Sequence, residues 1–396
     1  MSQALLHSGV DEVYLTLFVF LYYYNRNIIR GRSNAVEQMD LLEPALFKRM
    51  FRVDKETFSE LLDRIAPFMQ QKNLTKARNS SGSPIVLKAR LAVTLRWLAG
   101  ASYLDLCFAF GIAPSTFYHP AGVLWPTLEA IDAAFTIGFA FDDIERLETL
   151  SKGFYDHSGG ILDGCVLALD GLGVSTRQPY KWEVQFPKDY RFRKGGFAII
   201  VLAGCDIQAR FIAASCDHSG STNNIIAWQD CKLFERLEIE KQLPSKYFFI
   251  GDEAFTNTFQ FLSPWLGRGL DRYKDSFNYW LSHSRQAVER AFGMLTQRFG
   301  IFWRPFRFSF DRWTLVVMCS MKLHNLCIDR GDSTPTQRFV DDVRDGDQWV
   351  VYDNYRDDNA ELRGRPVGDR RRDITYKIEQ LGILRPPHAS MNSRCN

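Results

Sequence analysis

The stretch Cys165-Val166-Leu167-Ala168-Leu169-Asp170-Gly171 constrains the fold of this chain more than any other. Five consecutive apolar residues suit a short strand buried on both faces. The run then ends on a carboxylate and a glycine. A charge at the end of a buried strand is costly unless a cation, from the protein or a metal, accompanies it. Tyr247-Phe248-Phe249-Ile250-Gly251-Asp252 repeats the pattern. If the two strands lie side by side and parallel, Asp170 and Asp252 meet at the same sheet edge, where a divalent ion would relieve their repulsion.

Composition sets wide bounds. The 396 residues, 46% hydrophobic, suffice for one large domain with a smaller one, or for two to three modest ones. A formal net charge of +3 does not argue for nucleic acid by itself, so local clustering has to carry that case. Of the eight cysteines none forms a CxxC pair, and Cys107, Cys165, Cys205 and Cys319 sit in apolar runs, which reads as buried reduced thiols of an intracellular protein. Val13–Tyr24 is strongly apolar, but its 12 residues fall short of a membrane span, which needs about 20. Asp11 and Glu12 precede it where a secretory signal carries basic residues. A core or subunit-contact helix is expected there, with no membrane.

The N-terminal 1–150 read as a mostly helical domain. Phe47, Phe51, Phe58, Leu61 and Ile65 recur at helical steps, with Asp54 as a helix start. Residues 71–84 are a polar linker. Leu87–Leu98, Tyr103–Phe110 and a Gly-containing turn before Pro114 give 88–118 a helix-turn-helix-like pattern. A helical bundle without a DNA role is the other reading, because Pro120 cuts the third helix.

From 151 to 330 the period changes. Cys165–Leu169 is the first strand, Tyr190–Leu202 the second, and Arg210–Ser215 returns as a hairpin partner with Asp206 in the turn. A helix is expected over Ser221–Leu237, a strand over Tyr247–Ile250, and a helix over Arg285–Phe299 capped by Ser282. In that helix Val288, Phe292, Leu295 and Phe299 form the buried stripe. Glu289 lies one step off it, either paired with Arg285 at i−4 or acting as a third acid. Trp313–Leu326 is a further apolar helix, in which His324 and Asn325 read as a satisfied buried pair. Residues 331–396 form an acidic, partly disordered tail with a short helix, Asp369–Leu381.

Strand, hairpin, helix, strand and an acid-bearing helix is the order of an RNase-H-like α/β domain. Asp170, Asp252 and Glu289 together suit two Mg²⁺ ions, since hard cations take oxygen ligands. At LALDG, FIGDEAF and SRQAVERAFGMLTQRF, followed by MKLHNLCI and RRRDITYKIEQLGILRP, the sequence resembles the DDE catalytic domain of PIF/Harbinger transposases, and the animal nuclease domesticated from them. The resemblance implies an RNase-H-like fold, Asp170, Asp252 and Glu289 as catalytic and metal-binding residues, and Mg²⁺ or Mn²⁺. It also implies DNA cutting and strand transfer in the nucleus, and a separate Myb-like DNA-binding partner. Homo-oligomerisation is also expected. Asn224 stands where the family commonly has Asp, and Phe255 where it has Tyr. The alternative is a domesticated DNA- or protein-binding module without turnover.

Two basic clusters are candidate nucleic-acid contacts. Arg191, Arg193 and Lys194 precede a strand beside the expected site. Arg298, Arg304 and Arg307 interleave with Phe299, Phe302, Trp303 and Phe306, which suits stacking on distorted DNA or, equally, a core segment with snorkelling arginines.

Overall fold

The structure is a computed structural model that describes residues 33–69, 84–332 and 369–386. The apolar stretch 13–24, most of the linker 71–84 and most of the acidic stretch 331–365 lie outside the described residues. Among the described residues no helix is long and apolar enough to cross a membrane. Two compact units are formed, one from 1–97 with 101–130, the other from 98–100 with 131–396.

The first unit is helical: α1 (Ser33–Leu41), α2 (Pro44–Phe51), α3 (Lys55–Ile65), α4 (Leu87–Leu98), α5 (Tyr103–Ala109), α6 (Pro114–Phe117) and α7 (Leu124–Ala134), the last running past its end. Asp54 caps α3 by accepting from the Thr57 N–H at 2.7 Å. Phe47, Phe51 and Phe58 pack ring on ring behind it. The helix-turn-helix-like segment stops short of a reading helix. α6 has four residues, and Phe117 at its end is buried. Tyr118 then turns inward to accept an indole N–H on its hydroxyl from Trp97 and another on its carbonyl from Trp125. A single turn has no length to lay along a major groove.

The second unit holds α8 (Ile144–His157), then β1 (Cys165–Thr176), β2 (Phe197–Cys205), β3 (Phe211–Ser219), α9 (Asn224–Gln229), β4 (Phe248–Ile250), β5 (Phe261–Leu262), α10 (Arg272–Arg298), α11 (Trp313–Asp329) and α12 (Arg370–Leu381). The sheet order is β3-β2-β1-β4-β5. β1 runs antiparallel to β2 and parallel to β4. α8, which spans the 150/151 domain boundary expected from the sequence, packs on β1.

β1 does not end at Leu169. It continues through Asp170-Gly171-Leu172-Gly173 to Thr176, paired all the way with β2. Asp and Gly ordinarily signal a turn. Here the two glycines make room instead. A Cβ on Gly171 would lie 2.3 Å from Oδ1 of Asn224, and one on Gly173 would lie 2.5 Å from the Phe192 ring. Gly171→Ala should therefore cost about 1–3 kcal/mol by overpacking. Because the Asn224 amide is buried without a hydrogen bond, shortening it in the Gly171→Ala/Asn224→Ala double variant should recover most of the loss in urea denaturation. Equal stability of single and double variants would contradict this packing account.

Other expectations are also revised: β2 begins at Phe197, not at Tyr190, and runs on to Cys205. The expected Ser221–Leu237 helix breaks into α9, a turn at Lys232–Phe234 and a wider π-turn at Glu235–Ile239. α10 begins at Arg272, not at Ser282–Arg285. Asp271 caps it, accepting from the N–H groups of Tyr273 and Lys274, and buried Phe277 and Leu281 carry the apolar stripe back to that point. α12 is not part of a loose tail. It packs on α10 with Ile378 buried, donates from Arg370 to the Tyr247 carbonyl and places Thr375 Oγ1 against the indole N–H of Trp265.

Candidate active site

Side chains alternate faces along a strand. Gly171 and Gly173 point towards Asn224 and Phe192, so Asp170 points to the opposite face. There the α10 residue Arg285 meets it: Nη1 donates to Asp170 Oδ2 at 2.7 Å. The same guanidinium donates through Nη2 to Glu289 Oε1 at 2.5 Å, one turn further along α10. The second Asp is set by register. Ala168 pairs with Ile250, so two residues on in each chain segment Asp170 and Asp252 are neighbours. Asp252 Oδ1 accepts the Ala254 N–H at 3.0 Å.

Both aspartates are buried, at 3% and 7% exposure. Burial raises the Asp170 carboxyl above its ordinary range; Arg285 works in the opposite direction, while Glu289 adds to the rise. Asp252 is pushed up to about 7, first by burial and then by the Asp170 charge. Arg285 is itself buried, which opposes its charge, but Asp170, Glu289 and Asp252 more than offset that and hold it firmly cationic. A folded carboxyl with a raised pKa keeps its proton where the unfolded chain has lost it. Stability is then full below the unfolded value near 4 and falls as pH rises towards about 7. The metal-free protein should melt at lower temperature at pH 8 than at pH 5, and Asp252→Asn should flatten that slope. An unchanged slope in the variant would rule out Asp252 as its source.

Of the expected triad, the structure joins Asp170 and Glu289 through Arg285 and seats Asp252 beside Asp170. The three do not converge on a common point as expected. Among the described residues no three acidic, His or Cys side chains stand so as to hold an ion, because a guanidinium sits between two of the carboxylates. The donor set still suits a hard divalent cation. It is all oxygen and two of its carboxylates are buried side by side, while Arg285 now supplies the positive charge that a metal would have to replace. Arg285 appeared in the sequence only as a helix partner of Glu289. Its spacing carried that half of its role, and nothing local signalled the long-range half.

The basic candidates separate. Arg298 is a correction: it is fully buried, and its guanidinium donates to Oδ2 of Asp332 at 2.9 Å and to the Asp332 carbonyl at 2.8 Å. It ties α10 to the end of α11 and cannot reach a ligand. Phe299, Phe302 and Phe306 are core residues, and the Trp303 indole donates to the Thr296 carbonyl, so this segment is no stacking platform. Arg304 and Arg307 remain exposed, as do Arg191, Arg193 and Lys194 in the loop before β2. Asp206 is the hairpin turn residue expected, accepting the Arg210 N–H. Asn325 bonds both backbone groups of Phe211, and His324 meets the Ala209 carbonyl. Burial lowers His324 to about 4, which keeps it neutral. The seven cysteines among the described residues are buried and unbridged.

Comparison with curated proteins and with solved structures gives no match. Residues 169–325, which run from the Asp170 strand through the Asp252 turn and α10 to the His324-Asn325 pair, match a family model described as DDE superfamily endonuclease. The chain is thus similar to a DDE superfamily endonuclease domain over that stretch.

Proposed function

We propose that the chain is a DNA endonuclease and transposase of the PIF/Harbinger type, with Asp170, Asp252 and Glu289 as its catalytic carboxylates and Mg²⁺ or Mn²⁺ as its metal. The observation that carries this reading is the β1–β4 register, which seats two buried aspartates side by side within the matched domain. Bound at these carboxylates, a pair of divalent ions would supply Lewis-acid stabilisation to the attacking and leaving oxygens of phosphodiester exchange. The chain contributes a rigid strand carrying Asp170, a short turn carrying Asp252, and a capped helix carrying Glu289. Loading requires Arg285 to release Asp170 Oδ2.

Incubation of supercoiled DNA with Mg²⁺, Mn²⁺ or chelator tests this, with metal-dependent nicking expected. The Arg285 ion pairs favour a second reading, in which the domain binds DNA or protein without turnover. DNA binding with no nicking under either metal would select it.

The resemblance to PIF/Harbinger transposases implies a separate Myb-like partner in the nucleus for sequence recognition, a division of labour that the one-turn α6 would suit. The isolated chain, acting alone or as a homo-oligomer, should bind duplex DNA non-specifically, at about 10⁻⁴–10⁻⁶ M in physiological salt. Nanomolar binding to one sequence in a gel-shift titration would contradict this.

A further inference from the structure

We propose that the loop 177–196 between β1 and β2 is a docking site for unpaired DNA bases, with the Trp182 ring as the stacking platform. The inference rests on the reading of the chain as a DNA-acting endonuclease and adds where, and on which form of DNA, it grips.

The loop displays aromatic surface that the core does not use. Trp182 is 79% exposed, Tyr180 48% and Phe186 60%, all within seven positions. Scattered exposed apolar residues need no explanation; an ordered column of them does. The Tyr180 and Trp182 rings are stacked, 4.2 Å apart and 7° from parallel. The Arg177 guanidinium covers Tyr180 at 4.4 Å and also lies 5.6 Å from the ring of Trp313, which is buried at the start of α11. A column of flat groups thus rises from the core and ends on an indole open to solvent.

The column is held rigidly. Glu183 takes both Arg177 nitrogens, at 2.7 and 2.5 Å, and accepts the N–H groups of Tyr180 at 2.8 Å and Phe310 at 3.2 Å. The Arg177 hydrogen bond is the largest cause that holds the Glu183 carboxyl down at about 2, so the clamp stays charged across the working pH range. A pre-set aromatic face loses little entropy when a base lands on it.

Charge names the occupant. The loop contains six basic residues against two acidic ones, a larger surplus than the +3 of the whole chain. Arg177 binds Glu183; Lys181, Lys188, Arg191, Arg193 and Lys194 are all exposed. Stacking surface beside lysines and arginines is the chemistry of single-stranded nucleic acid. Duplex DNA hides its base faces, so an unpaired segment is required. Thr176, where the loop leaves β1, is six residues beyond Asp170, about 20 Å along the strand.

The test uses the full chain with chelator present, so that no cleavage occurs. Fluorescein-labelled duplexes, one blunt and one with a four-nucleotide unpaired end, are titrated by anisotropy. The wild type should prefer the unpaired end, and Trp182→Ala should erase that preference, a loss of about 5- to 150-fold for one stacked base. Trp182→Phe should keep most of it. Melting curves should be unchanged, since the ring is exposed. A wild type that binds both duplexes equally, or a Trp182→Ala variant with its preference intact, overturns the proposal and leaves the endonuclease reading standing. No binding of either duplex overturns both.

Discussion

Replacing Arg285 with methionine should destabilise the metal-free protein by about 3–5 kcal/mol, the usual cost of removing one partner from a buried ion pair. Asp170 is the reason. Its side chain is 4% exposed, and that of the arginine that balances it is 12% exposed. Methionine keeps the bulk of the arginine stem, so the loss is of charge and hydrogen bonds rather than of packing. The Glu289 side of the bridge adds little, because that carboxylate is 37% exposed and pairs of this kind give a few tenths of a kcal/mol. The sign with pH follows from Asp170, whose pKa burial already raises. Without Arg285 it rises further, and protonation then relieves the strain at low pH. Urea denaturation should find the largest loss at pH 8 and a smaller one at pH 5. Added Mn²⁺ should restore stability to Arg285→Met more than to the wild type if the carboxylates take a metal. A loss below about 1 kcal/mol at both pH values would show that Arg285 is not the counter-ion of Asp170 in solution.

Asp170→Asn should remove metal-dependent DNA cleavage while leaving the fold intact. Loss of one preorganised group that stabilises charge in a transition state costs about 10²–10³ in rate, and a missing metal ligand should cost no less. Asparagine fits the same space on β1 and its one carbonyl oxygen can keep the Gly171 N–H, but its amide NH2 cannot accept from Arg285 as the second aspartate oxygen does. It also takes one charge out of a crowded acidic centre, so the Asp252 carboxyl should titrate closer to its ordinary range. Glu289→Gln should likewise stop cleavage with little change in melting temperature, whereas a purely structural Glu289 would leave cleavage near wild type. Cleavage at the wild-type rate by Asp170→Asn would end its catalytic assignment.

Much of this architecture was legible along the chain. The apolar run at Cys165–Leu169 and the Tyr247–Ile250 run read as strands because each is short, apolar and bounded by polar residues, and both are strands. The i, i+4 stripe of α10 and the turn at Asp206 followed from periods and turn chemistry that act over a few residues. Asp170 and Asp252 were found because a charge abutting a buried strand has a cost wherever the strand sits. The extent of β1 was not legible. Asp-Gly-Leu-Gly carries the local signature of a turn, and only the side chains of Asn224 and Phe192 crossing that face show why glycine is needed in a strand.

Arg298 and Trp182 are a matched pair in this respect. Both stand among aromatic and basic neighbours in sequence, yet one is sealed against Asp332 and the other faces solvent. Composition is identical in kind; burial is a property of the packed chain. The sequence alone located the cores of the β1 and β4 strands and of the acid-bearing helix, and which acids were out of place, because periodicity and the cost of desolvating charge are local. Tertiary structure alone decided what each charge meets. Arg285 reaches Asp170 across 115 positions, and no short-range preference records a contact that forms only when a helix settles on a sheet.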